Sequence, residues 1–220
     1  MLLAAPAGAV ATEERRTPVA VELVIAMDCS ASVDREEFGL QVVGLSQAFA
    51  DPDVQAAVAA LKPLGVAVSV MQWGGSGEVK TVIPWAHLES GRDARAFAYV
   101  SGRIQRWYTT SITSISGAIE AGHASITGNA YEGLRRTIDV SGDGRDNGPL
   151  GLAEARQAAA DDGIVINGLP IEEEDEGLTA YYRTSVIAGT GAFVEPARDS
   201  HDFVRAMRDK LLRELRPPES

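Results

Sequence analysis

Residues Val19 to Met27 form a nearly continuous apolar run that ends at Asp28. A strand that is apolar on every side has no face to offer water. It belongs in the middle of a parallel sheet covered on both faces. Parallel neighbours need helical crossovers, and the chain downstream supplies them. Asp34, with Glu37 three residues on, starts a helix from about Arg35, and Phe38, Val42, Leu45 and Phe49 follow at helical spacing. Leu64–Trp73 reads as a strand, and Gly74-Gly-Ser-Gly77 as a turn into its antiparallel partner Glu78–Trp85. Phe97, Val100, Ile104 and Trp107 mark one helix, and Ile115, Ala118, Ile119, Gly122 and Ile126 the next. Strand Leu134–Ser141, helix Ala153–Asp162 and strand Gly163–Pro170 come after them. A short helix around Leu178–Ile187, a last strand near Gly191–Glu195 and a terminal helix lined by Phe203, Met207, Leu211 and Leu215 complete the pattern.

This alternation predicts an α/β fold: an open, doubly wound, mostly parallel sheet with one antiparallel edge hairpin and helices on both faces. One such domain is expected over residues 19–215, between a segment 1–18 and a short tail 216–220. Ligands of such sheets sit outside the carboxyl ends of the strands. The loops after Met27, Ser141 and Pro170 are therefore where chemistry is sought.

Composition narrows the partners. A net charge of −11 without a lysine–arginine cluster argues against nucleic acid and anionic membranes. Arg205, Arg208, Arg213 and Arg216 are interleaved with Asp209 and Glu214 and read as a solvated helix face. The single cysteine, Cys29, excludes an intrachain disulfide and a thiolate zinc cage, and reads as a small buried residue rather than a nucleophile. No stretch reaches the roughly 18–20 apolar residues of a membrane span. The apolar start ends in Ala9-Val10-Ala11, a small-x-small cleavage pattern, but lacks a basic leading segment. It reads as the back half of an export signal or as a disordered apolar tail. We favour the first, which places the protein outside the cytosol, periplasmic or secreted.

Three loops at the expected sheet edge carry oxygen ligands: Asp28-Cys-Ser30-Ala-Ser32, Thr109–Ala118, and Asp143 in Val140-Ser-Gly-Asp-Gly144. Hard cations such as Mg²⁺ take near-octahedral oxygen sets. The Ser-x-Ser spacing lets two hydroxyls point the same way from one tight loop. Taken singly, each of these residues is as readily a cap or turn former. Together, Asp28-x-Ser30-x-Ser32, Thr113 and Asp143 resemble the metal-ion-dependent adhesion motif of von Willebrand factor type A domains. The stretches Asp28–Asp34, Ile138–Gly144, Ile166–Pro170 and Tyr181-Tyr182 further resemble a bacterial, usually exported subfamily. The resemblance implies that Asp28, Ser30, Ser32 and Thr113 bind Mg²⁺ (or Mn²⁺ or Ca²⁺) directly or through water, with Asp143 acting through water. Thr109, Thr110 and Ser111 stay open as rivals to Thr113. It implies a non-enzymatic binding module whose protein partner supplies an Asp or Glu to complete the coordination.

Two alternatives stand beside it. One is a Mg²⁺-dependent phosphotransferase with Asp28 as nucleophile, but Ser30 stands where a general acid is needed and no lysine lies near the loops. The other is an interaction domain that does not use the metal. Asp139-x-Ser141-x-Asp143 imitates a calcium loop but has Leu150 where a bidentate Glu is required. Gly74–Gly77 lacks the lysine of a phosphate cradle. His123 reads as a packing or surface residue, and the acidic run Glu172–Glu176 as a solvated loop beside the candidate site that biases partners or supplies a second cation site.

Overall fold

The computed structural model describes residues 15–107, 113–148 and 151–216. The Ala9–Ala11 pattern and the tail beyond Arg216 lie outside them. Among the described residues five strands form one sheet in the order β3-β2-β1-β4-β5, with β1 at Thr17–Asp28, β2 at Val66–Trp73, β3 at Val79–Leu88, β4 at Tyr131–Gly142 and β5 at Ile164–Pro170. β1 runs parallel to β2 and β4, β4 runs parallel to β5, and only β3 is antiparallel. The expected doubly wound sheet with its edge hairpin is what the chain forms.

β1 is central because its side chains can be buried on both faces. Leu23, Ile25 and Met27 pack with Leu45 and Phe49 of α1 (Arg35–Ala50), Val58 of α2 (Pro52–Ala60), Phe97 of α3 (Gly91–Ser101) and Leu211 of α7 (Phe203–Leu215). Val24 and Ala26, on the opposite face, pack with Ile119 of α4 (Ile115–Thr127), Ala159 of α5 (Leu152–Asp161) and Tyr182, which opens a π-helical turn (Tyr182–Val186) after α6 (Leu178–Tyr181). Each such aliphatic side chain removed from water contributes roughly 1.5–3 kcal/mol. Glu22, the one charge in the run, accepts from Asn129 Nδ2 at 2.6 Å and Gly133 N at 2.5 Å.

Some elements depart from the sequence expectation. α3 stops at Ser101, whose hydroxyl donates back to Phe97 O and Ala98 O, and Trp107 is 57% exposed. The apolar spacing that runs on to Trp107 therefore does not mark a helical face. The expected strand at Gly191–Glu195 is reduced to isolated bridges, Gly168 with Val194 and Ile171 with Ala197. Gly189 and Gly191, at φ 91° and 79°, turn the backbone out of any continuous ladder. α2 was not expected; Asp51 accepts from Asp53 N and Val54 N, and Pro52 occupies the first turn.

The terminal helix is solvated on one side only. Arg205 and Arg208 pair with Asp202, Glu195, Asp51 and Asp53. On the buried side Lys210, fully enclosed, lies 2.7 Å from Asp139 of β4 and 2.6 Å from Glu214, which also accepts from Asn167 Nδ2 at 2.9 Å. Burial pushes the Asp139 carboxyl up to about 7, with Lys210 pulling it down and Glu214 pushing it up. The order of strands reverses between β1 and β4, so their carboxyl ends, Asp28 and Gly142, flank the crevice where such sheets bind ligands.

Candidate metal centre

Asp28 closes β1 fully buried, and its Oδ1 accepts from Ser30 N at 2.8 Å, which turns the chain tightly. Ser30 Oγ lies 3.2 Å from Ser32 Oγ, and Ser32 Oγ donates to Asp143 Oδ1 at 2.8 Å, tying the first loop to the one after β4. Thr113 comes from the segment before α4. Its N–H donates to Asn147 Oδ1 at 2.8 Å and its carbonyl accepts from Asn147 N at 2.9 Å. A methyl added to Gly144 would sit 3.4 Å from Thr113 Oγ1, so this hydroxyl lies against the Asp143–Gly144 turn. The structure thus brings Asp28, Ser30, Ser32, Thr113 and Asp143 to one place. Thr109, Thr110 and Ser111 lie outside the described residues.

The site is graded from a buried floor to an open rim. Asp28 and Ser30 are buried, Thr113 nearly so, Asp143 is half-buried and Ser32 is exposed. Burial, with the Asp143 charge next, pushes the Asp28 carboxyl up to about 8 against the pull of Ser30. Asp143 is also raised, first by burial and then by Glu174, while the Ser32 hydroxyl holds it down. Two carboxylates in this setting resist being charged together, and a divalent cation relieves that conflict.

The donor set fits such an ion. In an octahedron with oxygens at about 2.0–2.1 Å, neighbouring ligands are about 2.9 Å apart. The 3.2 Å and 2.8 Å separations along Ser30, Ser32 and Asp143 span that edge length. Among the described residues no group of three or more His, Cys, Asp and Glu side chains could hold a metal. Any ion held here would rest mainly on hydroxyls.

Residues to which the sequence reading gave no ligand role complete the setting. Arg106 donates to Ser30 O at 2.8 Å and to Cys29 O at 3.3 Å, clamping the first loop from a segment with no motif of its own. Ser114 N donates to Gly74 O at 2.9 Å, so the glycine turn after β2 braces the Thr113 segment. Asp146 accepts from Ser116 N at 3.0 Å, and its own N–H donates to Tyr181 Oη at 3.2 Å. Tyr182 is fully buried, and its hydroxyl is pushed well above the usual tyrosine range by burial and then by Asp28 and Asp143.

The remaining candidates find structural roles. Asp139 faces Lys210 rather than a calcium loop. His123 Nε2 pairs with Asp162 at 2.6 Å, and Cys29 is buried. Glu172 accepts from Thr179 N, Glu173 from Ser200 N and Oγ, and Asp175 pairs with Arg145, so these three residues tie the acidic run to α6, to the segment before α7 and to the loop after β4. Lys210 is committed to Asp139 and Glu214, and Lys80 lies over the Trp107 ring. Among the described residues no helix is long and apolar enough to cross a membrane.

Solved structures share this architecture. Proximal thread matrix protein 1 from the mussel byssus, in a form with a zinc-occupied MIDAS motif, superposes at a TM-score of 0.63 with 13% identity, over 90% of this chain and 48% of that one. A von Willebrand factor type A protein from Catenulispora acidiphila gives 0.60 with 19% identity, over 90% and 43%. The vWF domain of the type V pilus tip protein Mfa5 from Porphyromonas gingivalis gives 0.62 with 9% identity, over 92% and 98%. The chain spans about half the length of the mussel protein. At these identities the likeness shows the fold, which is that of a von Willebrand factor type A domain. No curated protein matches the sequence. Residues 18–219 match the family described as "Protein of unknown function (DUF1194)", and the chain belongs to that family.

Proposed function

We propose that this protein is a divalent-cation-dependent protein-binding module, in adhesion or assembly, acting outside the cytosol. Asp28, Ser30, Ser32, Thr113 and Asp143 hold Mg²⁺, with Mn²⁺ or Ca²⁺ as the other ions the set accepts. A partner Asp or Glu completes the coordination. The observation that carries this reading is the Ser30–Ser32–Asp143 chain of oxygens at octahedral spacing, set over buried Asp28 and opening to solvent at Ser32. Five side chains leave at least one of six positions for an outside oxygen. When bound, the ion supplies a Lewis-acidic point for that oxygen. The protein positions it, and Arg106 keeps the first loop in shape. The mussel protein's zinc-occupied motif and the pilus-tip domain support the reading by analogy of fold.

Calorimetry with Mg²⁺ and Mn²⁺ tests it. The wild-type chain binds, Asp28→Ala abolishes binding and Asp143→Ala weakens it, while far-ultraviolet circular dichroism shows both variants folded. Equal binding by wild type and Asp28→Ala would remove the assignment.

A further inference from the structure

Directly beneath the proposed ion site three polar atoms are buried with no hydrogen-bond partner among the described residues: Asp28 Oδ2, Tyr182 Oη and Trp73 Nε1. Polar groups are seldom buried without partners, so such a cluster calls for a shared one. The three side chains meet at one spot. A methyl placed on Gly142 would lie 2.8 Å from Asp28 Oδ2, 3.0 Å from Tyr182 Oη and 3.2 Å from the Trp73 ring.

The Tyr182 ring reaches this spot because the sheet is hollowed for it. At Gly168 of β5 a methyl would come within 2.6 Å of Tyr182 Cδ1, and at Gly142 of β4 within 3.0 Å of its hydroxyl. Gly168 pairs with Val140 and Gly142 with Pro170, so these glycines lie two positions apart along the β4–β5 ladder. They open a slot along the length of the ring. The ring enters from the π-helical turn, a conformation frequent at functional sites. A phenylalanine would fill the same slot. What tyrosine adds is one proton, delivered next to the carboxylate that ends β1.

We infer that Tyr182 is a positioning residue for Asp28: its hydroxyl donates to Asp28 Oδ2, directly after a small side-chain adjustment or through one water shared with Trp73 Nε1. Either route fixes the carboxylate from below. Oδ1, already bonded to Ser30 N, then stays aligned with the first loop. The inference rests on the metal reading for its consequence, though not for the hydrogen bond itself. Partners that orient a ligating group commonly change metal affinity 10–100-fold when removed.

Two measurements on the full chain decide it. In the metal-free protein, ultraviolet resonance Raman difference spectra between wild type and Tyr182→Phe isolate the Tyr182 doublet. A strong hydrogen-bond donor signature that weakens in Asp28→Asn is expected, and a non-donor signature overturns the hydrogen bond. In calorimetry with Mn²⁺, Tyr182→Phe is expected to bind at least tenfold more weakly than wild type while far-ultraviolet circular dichroism shows it folded. Unchanged affinity overturns the positioning role. If wild type binds neither Mg²⁺ nor Mn²⁺, the metal reading falls and the positioning role with it, while the Raman result stands separately.

Discussion

Replacing Lys210 by methionine tests how this fold tolerates charge in its core. Lys210 is the one cation between two buried carboxylates, at 2.7 Å from Asp139 and 2.6 Å from Glu214. Removing one partner of a buried ion pair costs about 3–5 kcal/mol, because the charge left behind is uncompensated. For a chain of this size that is a fall in Tm of roughly 6–20 °C. The pH dependence gives the sharper check. Asp139 has a folded pKa of about 7 against a usual 3.8, so it contributes stability that is fully present below pH 3.8 and lost as pH rises through 7. Lys210 is among the influences that pull this pKa down. The methionine variant raises it further, and its deficit grows from pH 5 to pH 8. Asp139→Asn behaves in the opposite way. It removes the surplus acid and leaves a Lys210–Glu214 pair, so at pH 8 it is neutral or stabilising. Urea unfolding of the three proteins at both pH values measures this. A Lys210→Met deficit that does not grow with pH, or an Asp139→Asn cost equal to it at pH 8, refutes the reasoning.

Other perturbations probe the first loop and its helix. Asp34→Ala removes a cap that accepts from Glu36 N at 2.7 Å and Glu37 N at 2.9 Å, and costs about 1 kcal/mol in urea unfolding. Arg106→Met loses the clamp on Ser30 O and lowers stability by about 1 kcal/mol. On the metal reading it also weakens Mn²⁺ binding severalfold, and unchanged affinity in calorimetry would show that the loop holds its shape unaided.

Much of this architecture is legible in the sequence because it rests on local chemistry. The apolar run of β1 demands two covering layers. Asp34 and Glu37 form the reciprocal cap their spacing predicts, and the glycine turn joins β2 to β3. What stays hidden depends on distant residues. Asp139 sits in an apolar strand and Lys210 in a helix of alternating charge; only the crossing of α7 over β4 and β5 pairs them. Trp107 has the spacing of a helical core residue, yet α3 ends six residues before it. Within the candidate site, Asp28, Ser30 and Ser32 are legible as a motif, whereas Arg106 reaches the loop from far along the chain. The slot for Tyr182 needs glycines on two strands facing one ring, which no spacing in a single segment records.

The proposed binding face has to select its partner at short range. The chain carries a net charge of −11, which repels an acidic protein at a distance, and at physiological ionic strength exposed charges are screened beyond about 8 Å. The acidic run beside the site adds to that repulsion: Asp175 is paired with Arg145, but Glu172 and Glu173 are bonded only to neutral N–H and O–H groups and Glu174 acts on Asp143. Affinity on this reading therefore comes from one partner carboxylate on the ion, and specificity from the shape of the rim around Ser32. Such contact would be hardly screened, because an ion held there would lie over a floor closed by Asp28 and Ser30, both buried. An interface of this kind responds sharply to chelator and to loss of one partner carboxylate, and only mildly to salt. One built on the surface charges alone would show the reverse order.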